Sequence, residues 1–277
     1  MGWRQISISN GEGNLFCNAY ITEKEAMNII VTHTPIVSTL DIQQVYEPFT
    51  KYGVNVFGFD FSGTGKSDGE EKAFSRSTII RDLEAIVIYI EKTFSDNIHL
   101  YGSTGIGGMF AQYYAASTKR IKSFAQFACV DYKNTKGIGC PYIGAKTMHF
   151  FLKRLPNFHI VMNPPKYKGY HEEQDQKIYE KLLKCNPQLF NSSTKILNTT
   201  IECFVAPDSA IKEGVLIPTL VFKILHDRYF TKAYFDSYYS HLKCKKKLVE
   251  IDDTHNSYFF NSEAFCQAAY EWFMENQ

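Results

Sequence analysis

No stretch of this 277-residue chain approaches the ~18–20 consecutive apolar residues that a bilayer span requires. The N-terminus, Met1-Gly2-Trp3-Arg4-Gln5, lacks the apolar run of a secretory leader. The myristoylation pattern that begins Met-Gly calls for Ser or Thr at the sixth position, where Ile6 stands. Charge of neither sign is in excess: 30 Lys and Arg face 29 Asp and Glu, so bulk electrostatics gives no reason to expect nucleic acid or an anionic membrane as partner. C-x-x-C spacing is absent among the seven cysteines, and their odd number outside a secreted context reads as reduced, mostly buried thiols. The eight histidines form no H-x-x-x-H or H-E-x-x-H pair, so neither a zinc site nor any other cofactor is expected. What is present is ordinary globular material, 44% hydrophobic and 21% charged, long enough for a sizeable core. These features predict a soluble, cytoplasmic protein.

The apolar pattern alternates between two periods. Arg4–Ser9 and Leu15–Ile21 alternate around the turn Asn10-Gly11-Glu12-Gly13-Asn14, a hairpin signature. Asn28–Thr32, Val54–Asp60, Asn97–Tyr101 and Ser123–Val130 are short runs of the kind that both faces of a sheet bury. Leu40–Tyr52 is predicted helical, shortened or kinked by Pro48. Ile79, Leu83, Ile86, Val87 and Ile90 share one helical face, and a further helix starts near Met109. Strand and helix in this rhythm imply a parallel sheet covered on both sides. From about 134 to 214 the rhythm gives way to amphipathic helix, including 172–184, interrupted by prolines. It resumes with a strand at 217–224, a helix at 232–242, a strand at 248–251 and a closing helix at 262–275. The expected organisation is a core of residues 1–133 and 215–277, with 134–214 inserted as a helical cap.

Three segments invite other readings. Phe61-Ser62-Gly63-Thr64-Gly65-Lys66-Ser67 ends like a phosphate-binding loop, but Asp60 stands where that loop needs its first glycine, and an acidic turn follows in place of a helix. Gly102-Ser103-Thr104-Gly105-Ile106-Gly107 lies on the third strand of the series, without the second acid-ended strand that dinucleotide binding requires. Lys243-Cys244-Lys245-Lys246-Lys247 reads as a solvated loop before the last strand.

Five motifs in order carry a family resemblance. Val31-Thr32-His33-Thr34-Pro35 is similar to a strand ending in His-Gly-X. Gly58 through Gly69 is similar to a D-x-R-G-x-G-x-S-x-G turn. Leu100 through Met109 stands at the place of a nucleophile elbow. Leu225-His226-Asp227-Arg228 follows a strand, and Asp253-Thr254-His255-Asn256-Ser257-Tyr258 follows the final one. Together they resemble the α/β-hydrolase fold along essentially the whole chain. The resemblance implies an α/β class, a mostly parallel eight-stranded sheet with helices on both faces, and a helical cap. It also implies a triad histidine at His255 and a triad acid at Asp227, with Asp131 in reserve. Oxyanion-binding backbone is implied near His33, Thr34, Pro35 and Ile106. Chemically, a carboxylate on the Nδ1 side of a neutral imidazole fixes its tautomer and leaves Nε2 to take a proton.

The elbow departs from the family pattern. An elbow is Gly-x-Ser-x-Gly, with small residues two before and two after the nucleophile because strand and helix approach closely. Anchored on the strand, Thr104 is the nucleophile, but Ile106 then takes a position that wants glycine. Anchored on the helix, Ser103 and Gly107 satisfy the small-residue requirement and the nucleophile position falls on Gly105, which has no side chain. The steric requirement favours the second register, with Ser103 a third candidate for the attacking hydroxyl. Pro35, at the X position, has no N–H to offer an oxyanion, although a shift of one residue would restore a donor at Thr34 or Ile36. The expected partner is a small, partly apolar substrate: an ester, thioester or amide that is hydrolysed or transferred. A His–Asp acid–base enzyme without covalent intermediate and a non-catalytic ligand-binding relative stand as alternatives. Tyr142, Phe150, Phe151, Leu152, Phe158 and Tyr167 are expected either to pack the cap onto the sheet or to line an apolar pocket.

Overall fold

The hairpin signature at the N-terminus forms β1 (Gly2–Ser9) and β2 (Asn14–Ile21), paired antiparallel in a computed structural model that describes residues 2–277 apart from 104, 128, 139, 162–171, 186, 188–190 and 228. The short runs expected to be buried on both faces become β3 (Asn28–Thr32), β4 (Asn55–Phe59), β5 (Ile98–Gly102) and β6 (Ser123–Gln126). Every residue of these four strands is buried, which requires cover on both faces of the sheet. Between them lie α1 (Arg76–Thr93) and α2 (Gly105–Ser117). The inner stripe of α1, from Ile79 to Ile90, is fully buried, and Ser75 and Thr78 close its N-terminus in a reciprocal capping box.

After β6 the chain leaves the sheet for α3 (Tyr142–Leu152), β7 (His159–Val161), α4 (Glu172–Cys185), β8 (Asn191–Ser193), α5 (Thr194–Val205) and α6 (Ala210–Glu213). Here β7 and β8 pair only with each other, and α3 packs along α5. The chain re-enters as β9 (Thr219–His226), then α7 (Lys232–His241), β10 (Lys246–Thr254), α8 (Ser257–Phe260) and α9 (Ser262–Met274). The eight-stranded sheet has the order β1-β2-β4-β3-β5-β6-β9-β10, parallel from β4 to β10.

Several expectations shift. The helix expected over Leu40–Tyr52 is two short 3-10 turns, Gln43–Val45 and Glu47–Tyr52; Pro48 begins the second, and Gly53 at φ +68° ends it. The strand expected to reach Val130 stops at Gln126. Beyond it the Gln112 side chain takes over the backbone, accepting from Val130 N–H at 2.8 Å and donating to Val130 C=O at 2.9 Å. Lys246 and Lys247 are not loop: they open β10 opposite Thr219 and Leu220, and the Lys246 ammonium donates to the Tyr239 and Leu242 carbonyls at the end of α7. Of the aromatic side chains expected to pack or enclose a pocket, Phe150, Phe151 and Phe158 stand in solvent. Leu152 is buried, and Tyr167 lies outside the described residues.

Candidate active site

β9 and β10 run side by side in register from Thr219 and Lys246 to Ile224 and Ile251, and then β10 takes one extra residue so that Thr254 stands opposite His226. The residues that follow, Asp227 and His255, therefore leave neighbouring strand ends together. His255 Nδ1 lies 2.7 Å from Asp227 Oδ2. The other carboxylate oxygen accepts from the backbone N–H of Tyr229 (2.7 Å) and Phe230 (2.9 Å), so the acid is held on both sides. The Asp227 carboxylate is 1% exposed and the imidazole 10%, in a ring of Phe127, Tyr229, Phe230 and Tyr258. In such surroundings an ion pair with a protonated imidazole is screened little by water.

Across the sheet edge, β5 ends at Gly102 and α2 begins at Gly105, leaving a two-residue turn. Ser103 lies under this turn: it is fully buried, its hydroxyl donates to the Thr32 carbonyl at 2.8 Å, and its N–H donates to the same oxygen at 3.1 Å. The Ser103 hydroxyl is thus committed to a backbone carbonyl. Gly105 has φ +22°, and a Cβ built on it would meet no atom within 4 Å beyond its neighbours. At Gly107 the opposite holds, since a Cβ would come within 2.2 Å of the His33 backbone carbonyl carbon. The Thr32 hydroxyl also bonds the Gly107 carbonyl at 2.9 Å, so the strand β3 and the first turn of α2 are in contact there. Thr104 lies outside the described residues, as does Arg228 of the Asp227 motif.

The facing strand end is built around a buried acid. Asp60 is fully buried and accepts from Thr39 N–H (2.6 Å), Ser38 Oγ–H (2.9 Å) and Lys66 N–H (2.9 Å), with His33 Nε2 at 3.2 Å. Burial alone would raise its pKa, but His33 and the two backbone N–H groups outweigh it and hold the carboxyl below the usual range. Gly65, at φ +52°, passes so close that a Cβ would overlap the Asp60 carboxylate. The segment that imitates a phosphate-binding loop is thus a turn wrapped around a protein carboxylate. The His33 ring is an internal brace: Nδ1 lies 2.8 Å from the Thr34 carbonyl and Nε2 3.0 Å from the Phe59 carbonyl. Thr34 is half-buried, Pro35 is buried, and Ile106 is half-buried in the first turn of α2.

Against this geometry, a family profile described as serine aminopeptidase, S33, matches residues 24–255, which spans β3 through His255. The chain belongs to this hydrolase family. Its fold is that of the α/β hydrolases. The solved complex of DcsB with its substrate analogue superposes with a TM-score of 0.72 at 16% identity, over 100% of both chains. The α/β hydrolase GrgF from Penicillium sp. sh18 gives 0.71 at 14% identity, over 100% of this chain and 99% of the other. A monoacylglycerol lipase from Paleococcus ferrophilus gives 0.71 at 18% identity, over 95% and 99%. No curated protein sequence matches.

Within this hydrolase, Asp227 and not Asp131 meets His255. Asp131, 3% exposed, is occupied elsewhere: it accepts from Ser237 Oγ–H (2.6 Å) and the Lys133 N–H (3.0 Å), and His241 Nδ1 lies 3.0 Å away. Of the four rings around His255, Tyr258 belongs to the final motif itself, and Tyr229 and Phe230 lie within three residues of Asp227. Phe127 is betrayed only by the end of β6. Among the described residues no group of three His, Cys, Asp or Glu converges as a metal site would require. No helix among the described residues is long and apolar enough to cross a membrane.

Proposed function

We propose that the protein hydrolyses a small ester, thioester or amide, with His255 as general base, Asp227 as its orienting acid, and a water as the attacking nucleophile at the open side of Gly105. The observation that carries this reading is the pairing of steric extremes at the elbow. Gly107 has no room for a Cβ against the His33 backbone, while Gly105 has open space. In the family's spacing the small residue two positions after the nucleophile is the one crowded by the facing strand, which supports Gly105 as the nucleophile position. In this reading the open space at Gly105 admits the water that Nε2 of His255 activates.

In the proposed step the water oxygen forms a bond to the carbonyl carbon and its proton passes to Nε2, while Asp227 stabilises the imidazolium. The tetrahedral oxyanion is held by the unpaired N–H groups of the first turn of α2, with Ile106 foremost. Pro35 contributes none, and a site short of one such donor is expected to run about 10²–10³ slower than a complete one. Collapse breaks the bond to the leaving group, which takes the proton from Nε2. The segment 134–214 serves in this reading as a cap over the strand ends, and the aromatic ring around His255 favours a partly apolar substrate.

Kinetics on short-chain ester and thioester substrates tests the assignment. His255→Ala is expected to lower kcat/KM by about 10²–10⁴-fold, while Thr104→Ala keeps the parental rate. Full activity in His255→Ala, or loss of activity in Thr104→Ala with the fold intact, would contradict it.

A further inference from the structure

Ten large apolar side chains among the described residues stand well out in solvent, and seven of them fall between Ile143 and Val161. The concentration has a geometric cause. α3 sits on α5 through Ala145 and Leu152, both buried, with His149 Nδ1 2.9 Å from Asn198 Oδ1 between them. At 100° per residue, Ile143 and Phe150 fall within about 20° of each other on the opposite side, and Arg154 follows in the turn after the helix. Ile143 is 79% exposed, Phe150 49% and Phe151 60%, and the exposed run continues through Leu155 and Phe158 to Val161.

The charge of the same segment is one-sided although that of the chain is balanced. From Ile143 to Val161 there are three Lys or Arg, namely Lys146, Lys153 and Arg154, and no Asp or Glu; the acid-free stretch extends from Asp131 to Glu172. The Arg154 guanidinium lies 3.6 Å over the Phe150 ring, Lys153 Nζ 6.0 Å over the same ring, and Lys146 Nζ 5.7 Å over Tyr142. An acid does reach the segment at its far end, where Glu71 pairs with His159 at 3.0 Å. Apolar rings with cations lying against them, and no anion on the helix, is the layout of a helix that rests in a lipid interface, the stems lying along the rings and the charges at phosphate level.

We propose that α3 and the stretch to Val161 seat the protein on an anionic lipid surface. Ile143, Phe150 and Phe151 would enter the acyl boundary, and Lys146, Lys153 and Arg154 would meet the headgroups. A second copy of the chain fits less well, because a two-fold contact through this face would bring like charges together. The proposal is independent of the reading of His255.

Co-sedimentation of the full chain with phosphatidylcholine vesicles, with and without phosphatidylserine, tests it. Binding is expected only with phosphatidylserine and is weakened by salt. The double variant Phe150→Ser/Phe151→Ser is expected to bind at least about tenfold more weakly. Lys153→Glu/Arg154→Glu, which touches no apolar contact of the core, is expected to weaken binding by at least about fivefold per charge. Failure of the parent chain to bind phosphatidylserine vesicles would overturn the proposal, as would undiminished binding by both variants. A concentration-dependent dimer that the serine variant abolishes, with no vesicle binding, would assign the face to a second copy instead.

Discussion

Two glycines two positions apart make opposite demands, and their substitution separates the elbow's geometry from general stability. Gly107→Ala drives a methyl into the His33 backbone, which cannot rotate away as a side chain could. A loss of about 1–3 kcal/mol is expected, at the upper end because backbone must move. Gly105→Ala adds a methyl to open space at φ +22°; the strain of that φ, about 1–2 kcal/mol, is partly offset by alanine's advantage over glycine in a helix. Urea denaturation of the two variants checks the order, and equal losses would contradict the elbow geometry. At this scale the sequence was informative where a motif coincides with a strand end: His255 and Asp227 were legible because adjacent strands in one sheet end there. The fate of Ser103 was not, because its bond to the Thr32 carbonyl depends on the pairing of β3 with β5, which no local pattern encodes.

His99, in the middle of β5, is fully buried between Ser123 Oγ (2.8 Å) and Asn97 Oδ1 (2.9 Å), with its ring stacked on Phe273. Burial first, and the charge of Lys122 second, push its pKa down to about 3. The native state therefore keeps this imidazole neutral while the unfolded chain binds a proton below pH ~6.5. Its stabilising contribution is complete above that pH and is lost as pH falls from about 6 toward 3, by up to about 1.4 kcal/mol per pH unit. Asp60, whose pKa is lowered, has the usual carboxylate dependence and acts below the window between about pH 6 and 5 in which the His99 contribution begins to be lost. Urea midpoints across that window should fall in the parent and flatten in His99→Gln; parallel slopes would contradict the assignment. The first two sheet strands were legible from alternation around a turn, the other six from short apolar runs, and α1 from its 3.6-residue stripe. Element ends were less so, because tertiary partners decide them. Gln112 ends β6 from another helix, and Pro48 with Gly53 turns an expected helix into 3-10 turns.

For the molecule as a whole, Cys17, Cys129, Cys140, Cys203, Cys244 and Cys266 are free, and Cys17, Cys129, Cys203 and Cys266 are buried where desolvation pushes their thiols up. Ellman titration of the native protein is expected to leave these four unreacted, while the half-buried Cys140 and Cys244 react. Rapid reaction of the four without unfolding would contradict the packing. The α/β architecture was legible because five weak motifs fell in one order; the exposed apolar face of α3 was not, since an aromatic helix that packs and one that faces solvent read alike until its neighbours are known. The account's central claim is that a paired His255 and Asp227 stand beside an elbow with no side-chain nucleophile. Intact-mass analysis of the parent enzyme after exposure to a fluorophosphonate tests it most directly, in a preparation that turns over an ester and alongside Gly105→Ser. The account predicts an unmodified parent chain and a single adduct on the serine of the variant; a stoichiometric adduct on Thr104 of the parent would contradict it.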